Sequence, residues 1–321
     1  MNRRLDEMTV AEIGEFGLIS ELLADQPSSP AVSVGIGDDA AVFLLSGSAV
    51  TSTDMLVENV HFRRDWSEPD QVGRKAVAVN VADIEAMGAR PVAMVVSLGA
   101  PHDLSAGWVA KFLAGLREEA GVAGVELVGG DTTRARDITI SVTVIGHTDG
   151  VDPVLRSGAR PGQQVAVIGR LGWAAAGLTA LQRGFRSPRA AVNAQRVPEP
   201  PYGQGRVAAL SGASAMIDVS DGLRADLGHI ASASGVRIDL DSSTLTPDDP
   251  VQVVGQATGI DPLTFVLTGG EDHALAATFD EGFVPEGWRV VGRVLAPTTD
   301  EPAVVVVDGE LPEGPAGWAH F

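Results

Sequence analysis

Five short segments of this chain each deliver an aspartate straight after an apolar or glycine-rich run: GIGDDAAV at 35–42, TSTD at 51–54, NVADIEAMGA at 80–89, GGDTT at 129–133 and DVSDGL at 218–223. Carboxylates repel one another, by about 4 kcal/mol for a pair ~4 Å apart at an effective dielectric of 20. A fold that gathers these acids must therefore gather positive charge with them. No lysine stands in any of the five segments. A hard cation is the remaining source, and oxygen-only ligands select Mg²⁺ or Ca²⁺ over zinc or copper. The expectation is a site that holds several Mg²⁺ ions against phosphates.

At 321 residues the chain exceeds the size at which a single core stops growing, so two domains of roughly 150 residues each are expected. The absence of cysteine excludes disulfides, zinc-thiolate sites, iron–sulfur clusters and thiol catalysis. A formal charge of −19 sets the chain against general nucleic-acid binding, which draws its affinity from lysine and arginine on phosphates. Lysine occurs only as Lys75 and Lys111. The opening MNRRLDEMTVAEIGEFG lacks the apolar core of a signal peptide, and no run approaches the ~20 apolar residues of a membrane span. A cytoplasmic location without a membrane partner is expected.

Segments 5–24 and 104–120 read as helices, the second with Leu104, Trp108, Phe112 and Leu116 at four-residue spacing. Strand-like runs stand at 48–53, 92–98, 124–128 and 138–146. The Gly-, Pro- and Asp-rich stretch 147–164 reads as a connection, which puts the boundary near 150 and the domains at 1–149 and 150–321. Beyond it, strands are expected at 164–169 and 214–220, helices at 172–184 and 221–235, and further strands at 263–268, 274–279, 288–294 and 302–308. The fold class is α/β with mixed sheets in two domains. GGD at 129–131 echoes GGED at 269–272, each after an expected strand, and hints that the halves are built alike.

Gly35, Gly37 and Ala40 satisfy the G-x-G-x-x-A dinucleotide fingerprint. That fingerprint puts pyrophosphate on a helix N-terminus, where Asp38 and Asp39 would set two anions, and AAVFLL beyond it reads as a strand. The two acids fit metal ligands or turn residues instead. Asp54 follows Thr51, Ser52 and Thr53, whose hydroxyls and carbonyls suit a magnesium shell; a turn or helix cap accounts for it equally. Asp83 lies in a helix-like run with Asn80 three residues earlier, on the same face. Asp131 follows Gly129 and Gly130, which let phosphate or metal approach the backbone. Asp218 and Asp221 bracket Ser220 before a helix, where amide N–H groups can meet phosphate oxygens, although a capping motif explains the pair as well. There is no P-loop and no protein-kinase motif set. A nucleotide here would have its triphosphate held chiefly through metals.

The combination GIGDDAAV, TDMLVENVHF, NVADIEAMGARP, GGDTTR, LRSGARPG, DVSDGL, TGGEDHAL and a terminal GWAHF, in order from about residue 14 onward, resembles the thiamine-monophosphate kinase family of the aminoimidazole-ribonucleotide synthetase-like superfamily. The resemblance implies transfer of the γ-phosphoryl group of ATP to thiamine monophosphate, giving thiamine diphosphate and ADP, with several Mg²⁺ ions. It implies a homodimer whose N-terminal α/β domains pair and whose C-terminal α/β domain completes the site. It implies Asp38, Ser52, Thr53, Asp54, Asp83, Asp131, Asp218 and Asp221 as metal ligands. ATP contacts would come from Gly130, Asp131, Arg156 and Ser220, with Phe112 near the nucleotide. Thiamine monophosphate would meet His61, Glu271 and Trp318.

A phosphate monoester oxygen is already largely ionised at neutral pH, so the attacking group needs no strong general base. Catalysis then rests on alignment and charge neutralisation. Direct in-line transfer without a phosphoenzyme is expected, His61 and His273 being the histidines nearest the acidic motifs. Trp318 would offer a flat face to a heteroaromatic or cationic ring, or else pack. His61 and Glu271 have plain alternatives at a strand end and in a turn. Ser52 stands where threonine is also common in relatives, which keeps the hydroxyl, and Tyr202 receives no role. Two other readings remain open: a purine-synthesis enzyme of the same superfamily, disfavoured by VENVHF and GWAHF, and a non-catalytic nucleotide-binding regulator.

Overall fold

The computed structural model describes residues 5, 7–14, 17, 29–36, 40–297 and 303–318. The chain divides into two compact units, Met1–Ile84 with Pro91–Gly150 and Glu85–Arg90 with Val151–Phe321. The break falls at Gly150, but the short segment Glu85–Arg90 belongs to the second unit, which no single cut provides.

The first unit contains β1 (Val32–Val34), β2 (Val42–Phe43), β3 (Ala49–Val57), α1 (Pro69–Ala86), β4 (Arg90–Ala100), α2 (Ala106–Ala123), β5 (Glu126–Arg134) and β6 (Thr139–His147). The last two residues of α1 and the first residue of β4 fall in Glu85–Arg90. Its main sheet has the order β3-β6-β4-β5, and β1 pairs with β2. Strand β6 alternates buried Ile140, Val142 and Val144 with half-buried Ser141, Thr143 and Ile145, the period-2 signature of a strand with one core face. Helix α2 starts where Ser105 accepts from the Gly107 N–H and ends at Gly124, whose φ is 71°. The two helices touch backbone to backbone. A Cβ on Gly73 would lie 2.0 Å from the Phe112 carbonyl oxygen, and one on Gly115 would lie 1.9 Å from that of Asp70.

The second unit contains β7 (Gln164–Ile168), α3 (Trp173–Gln182), α4 (Arg189–Arg196), α5 (Gln204–Leu210), β8 (Ala215–Val219), α6 (Leu223–Ser234), β9 (Arg237–Leu240), α7 (Asp249–Thr258), α8 (Pro262–Thr268), β10 (Ala274–Phe279), β11 (Arg289–Leu295) and β12 (Val304–Val307). Its sheet has the order β12-β9-β11-β7-β10-β8. All pairings are antiparallel except β12 with β9. Every residue of β8 and β10 is buried, because both sheet faces carry a core. One core gathers Ile217, Val219, Leu227, Ile230 and Val294. The other gathers Met216, Leu275, Phe279 and Trp288.

Three sequence expectations require correction. Residues 263–268 form helix α8 rather than a strand. The Asp261 carboxylate accepts from the Leu263 N–H and Pro262 occupies the first helical turn, a start signal that outweighs the β-branched and aromatic residues that follow. Strand β5 continues to Arg134, so Gly129–Asp131 lies inside a strand, whereas the 269–272 segment follows a helix. The echo between them therefore does not reflect a shared element order. Of the segment expected to be one helix at 5–24, residues 5, 7, 10–14 and 17 are helical, but Met8 and Thr9 are not and Thr9 bridges Ser105; most of 15–24 lies outside the described residues. Among the described residues no helix is long and apolar enough to cross a membrane.

Candidate functional site

Each unit carries its own group of the expected residues. In the first, alternation along β3 turns Ser52, Asp54 and Leu56 to one face. Ser52 Oγ donates to Asp83 Oδ2 on α1 at 2.5 Å. The Asp54 N–H donates to Asn80 Oδ1 at 2.9 Å, and the fully buried Asn80 donates in turn to the Ala76 carbonyl at 2.8 Å. Asn80 and Asp83 thus meet β3 together, as their spacing on a helix allows. Thr53 faces the other way, its hydroxyl donating to the Val142 carbonyl at 2.9 Å and accepting from Thr143 Oγ1 at 3.0 Å. Its side chain is not brought to Asp54 and Asp83, because successive strand residues point to opposite faces.

Asp131, exposed, stands on β5 opposite Ser97 of β4, with Gly130 opposite Val96. Strands β5 and β3 are the two ends of the sheet order. Asp54 and Asp131 therefore stand on the two outer strands of this sheet. Asp38 lies outside the described residues. Phe112 is fully buried and stacks on Trp108 with ring centroids 5.6 Å apart. This is a packing position, with no face open to a nucleotide.

His61 sits in the turn after β3. Its Nδ1 accepts from the Val57 N–H at 3.0 Å, which leaves Nε2 as the protonated nitrogen and the donor to any anion. The His61 carbonyl accepts from Lys75 Nζ at 3.0 Å. Lys75 is buried in α1, and sequence reasoning noted it only as one of two lysines. A lysine inside an apolar helical run was the available signal.

In the second unit the strand-to-helix turn after β8 carries Asp218, Ser220 and Asp221. Buried Asp218 accepts at Oδ2 from His273 Nδ1, 3.0 Å away. The amides expected to meet phosphate are occupied. Asp226, in the first turn of α6, accepts through Oδ2 from the N–H groups of Ser220, Asp221 and Gly222, each at 3.0 Å. Burial, aided by the nearby Asp218 carboxyl, pushes the Asp226 carboxyl up to about 7 against the pull of those bonds. The reading of free N–H groups at this turn is thereby corrected, because one buried carboxylate oxygen takes all three.

The carbonyls of the same turn are also engaged. Val219, Ser220 and Asp221 accept from the N–H groups of His273, Glu271 and Trp318 at 2.9, 2.8 and 2.9 Å. Glu271 and His273 hold φ values of 67° and 53°, a region that non-glycine residues seldom occupy. Between them the buried Asp272 turns to α3, accepting from the Gly172 and Ala174 N–H groups at 2.5 and 2.8 Å. Burial pushes its carboxyl up to about 7, with these two bonds and His273 pulling it down. Trp318 is 63% exposed. Arg156 is exposed before β7, and its carbonyl accepts from Ser234 Oγ at 3.3 Å.

Among the described residues no three acidic or imidazole side chains gather around one point. The groups present are Ser52, Asp54 and Asp83 in one unit and Asp218 and Asp221 in the other. Mg²⁺ keeps several waters and takes one or two carboxylates plus substrate phosphates, whereas Ca²⁺ prefers six to eight oxygen ligands. Paired carboxylates beside a hydroxyl fit the former.

Residues 37–148 match the family described as "AIR synthase related protein, N-terminal domain". The thiamine-monophosphate kinase of Mycobacterium tuberculosis (strain ATCC 25618 / H37Rv) is 51% identical over 315 residues, covering 98% of this chain and 93% of its own. That of Corynebacterium glutamicum is 41% identical over 325 residues, covering 98% and 96%. The solved structure "AaThiL complexed with AMPPCP and TMP" is similar with a TM-score of 0.79 at 34% identity, covering 98% of this chain and 99% of that one. The mixed α/β fold expected from the motifs is the fold these structures share.

Proposed function

The chain belongs to the thiamine-monophosphate kinase family, and on that premise we propose that it transfers the γ-phosphoryl group of ATP to thiamine monophosphate, giving thiamine diphosphate and ADP. The observation that carries the proposal is near-full-length identity to curated kinases of that name, joined to a similar structure holding an ATP analogue and TMP. The same identities favour the kinase over the purine-synthesis and regulator readings.

We assign Ser52, Asp54, Asp83, Asp131, Asp218 and Asp221, with Asp38, to holding Mg²⁺. When bound, the ions would neutralise the charge that otherwise keeps two polyanions apart. Ser52 fixes the Asp83 carboxylate by its hydroxyl, and Asn80 fixes the β3 backbone at Asp54. Gly130 is assigned to the nucleotide through its backbone alone, since the place of its missing side chain is taken by the Val96 carbonyl oxygen, 2.0 Å from a Cβ built there, while Arg156 and the Ser220 hydroxyl supply donors. The His61 Nε2–H is the donor we assign to the phosphate of thiamine monophosphate. Glu271 is assigned to the cationic or amino end of that substrate and Trp318 to a ring face, a contact worth about 0.5–2 kcal/mol when desolvated. No side chain serves as general base, and the transfer is direct and in line. We further propose a homodimer that acts in the cytoplasm.

Purified protein with ATP, Mg²⁺ and thiamine monophosphate should form thiamine diphosphate and ADP in equal amounts by chromatography. Asp131→Asn or excess EDTA should abolish both products. Failure to form thiamine diphosphate with intact, ATP-binding protein would overturn the assignment.

A further inference from the structure

The turn between β8 and α6 has an unusual anchor. Three successive peptide units, from the Val219 carbonyl to the Gly222 N–H, are hydrogen-bonded on both sides. Their N–H groups go to Asp226 Oδ2, and their carbonyls go to His273, Glu271 and Trp318. An ordinary N-cap lies at the residue before the helix and satisfies donors inside it. Here the cap residue is Gly222, which has no side chain, and Asp226 reaches backward from within the helix to a donor two residues before the cap.

Glu271 and Trp318 are nearly fifty residues apart in sequence and belong to different segments, yet each hangs from this turn by its own backbone N–H. The last described segment is pinned against the same place. Arg224 donates to the Pro312 carbonyl at 3.2 Å, and a Cβ on Gly317 would lie 2.4 Å from the Asp221 carbonyl oxygen and 2.7 Å from Ala225 Cβ. Glycine is required there because the chain runs in contact with the turn. The turn is therefore the common frame for Asp221, Glu271 and Trp318, and among the described residues Asp226 is the side chain that takes the three N–H groups of its inner edge.

We propose that Asp226 is a positioning residue that, through the Ser220–Gly222 backbone, sets Glu271 and Trp318 in register with Asp218 and Asp221. Asp226 touches neither substrate in this role. The inference rests on the kinase reading for the identity of the substrate, but the mechanical link stands on the hydrogen bonds alone. It predicts that loosening one buried carboxylate disturbs two distant segments selectively, which loss of general stability does not do.

The test is hydrogen exchange by mass spectrometry together with steady-state kinetics on the full chain, for Asp226→Ala and Asp226→Asn. In Asp226→Ala, exchange should accelerate in peptides covering 218–223, 269–274 and 313–318, while those covering β9 and β11 keep wild-type protection. Its kcat/KM for thiamine monophosphate should fall on the order of 100-fold, the scale of a misplaced reacting group, with KM carrying part of the loss. Asp226→Asn retains one oxygen acceptor and caps about as well as aspartate, so it should restore both protection and most of the activity. If Asp226→Ala does not fold, Asp226→Glu keeps the charge but displaces the acceptor by a methylene, and it should give the same exchange pattern in milder form. Wild-type exchange at 269–274 and 313–318 in the altered protein would overturn the proposal. So would uniform acceleration across the chain, or an Asn variant as impaired as the Ala variant. Wild-type protein that makes no thiamine diphosphate would instead refute the kinase reading, while the exchange pattern would still decide the anchor.

Discussion

Asp272 shows how one buried carboxyl sets a pH dependence. Its ordinary value is 3.8 and burial raises it to about 7 in the folded chain, so the folded state holds the proton more tightly than the unfolded state. Stability from this group is complete below about pH 4 and is lost as pH climbs through 7. Thermal melts should therefore fall across that interval, and Asp272→Asn, which does not titrate, should flatten the slope; an unchanged slope would place the titration elsewhere. Ser52 has a different task, donating the hydrogen bond that aims Asp83. Ser52→Ala should lower kcat/KM roughly tenfold, the value of about one charge-assisted bond. The Mg²⁺ concentration for half-maximal rate should rise with it, as a magnesium titration of initial rates will show. The acids themselves were legible in the sequence, since each stood after an apolar run without a lysine. Asp226 and Asp272 were not, because nothing in the spacing of an acid reveals which distant N–H it will accept from.

At the scale of elements, the contact between α1 and α2 depends on the absence of two side chains. Gly115→Ala would place a Cβ about 1.9 Å from the Asp70 carbonyl oxygen, and that atom is backbone that cannot rotate away. A loss of about 1–3 kcal/mol is expected for overpacking of this kind, measurable as a lower denaturant midpoint. A midpoint equal to wild type would mean that the helices separate without cost. The helices of the motifs were readable from periodicity and caps. Helix α8 was missed although Asp261 and Pro262 announced its start, since LTFVLT matches a strand by composition. Strand β10 was legible over its full range, 274–279, even though all six of its residues are buried and alternation has nothing to report.

For the whole molecule, the family assignment carries an assembly prediction. Sedimentation at micromolar concentration should give twice the 33.2 kDa of one chain, and a monomer at that concentration would overturn the homodimer. The sequence by itself determined the chemistry available: oxygen ligands without cysteine, acids without neighbouring lysine, and motifs in an order that identified the family. It also determined most elements, since helical and strand periods are local properties of the chain. Only the tertiary structure decided that Thr53 turns away from Asp54, that Asp54 and Asp131 lie on opposite ends of one sheet, and that the amides of the Ser220 turn are spent on Asp226. Strand order and hydrogen-bond partners arise from packing between residues far apart in the chain, and spacing along a sequence does not encode which of those partners will meet.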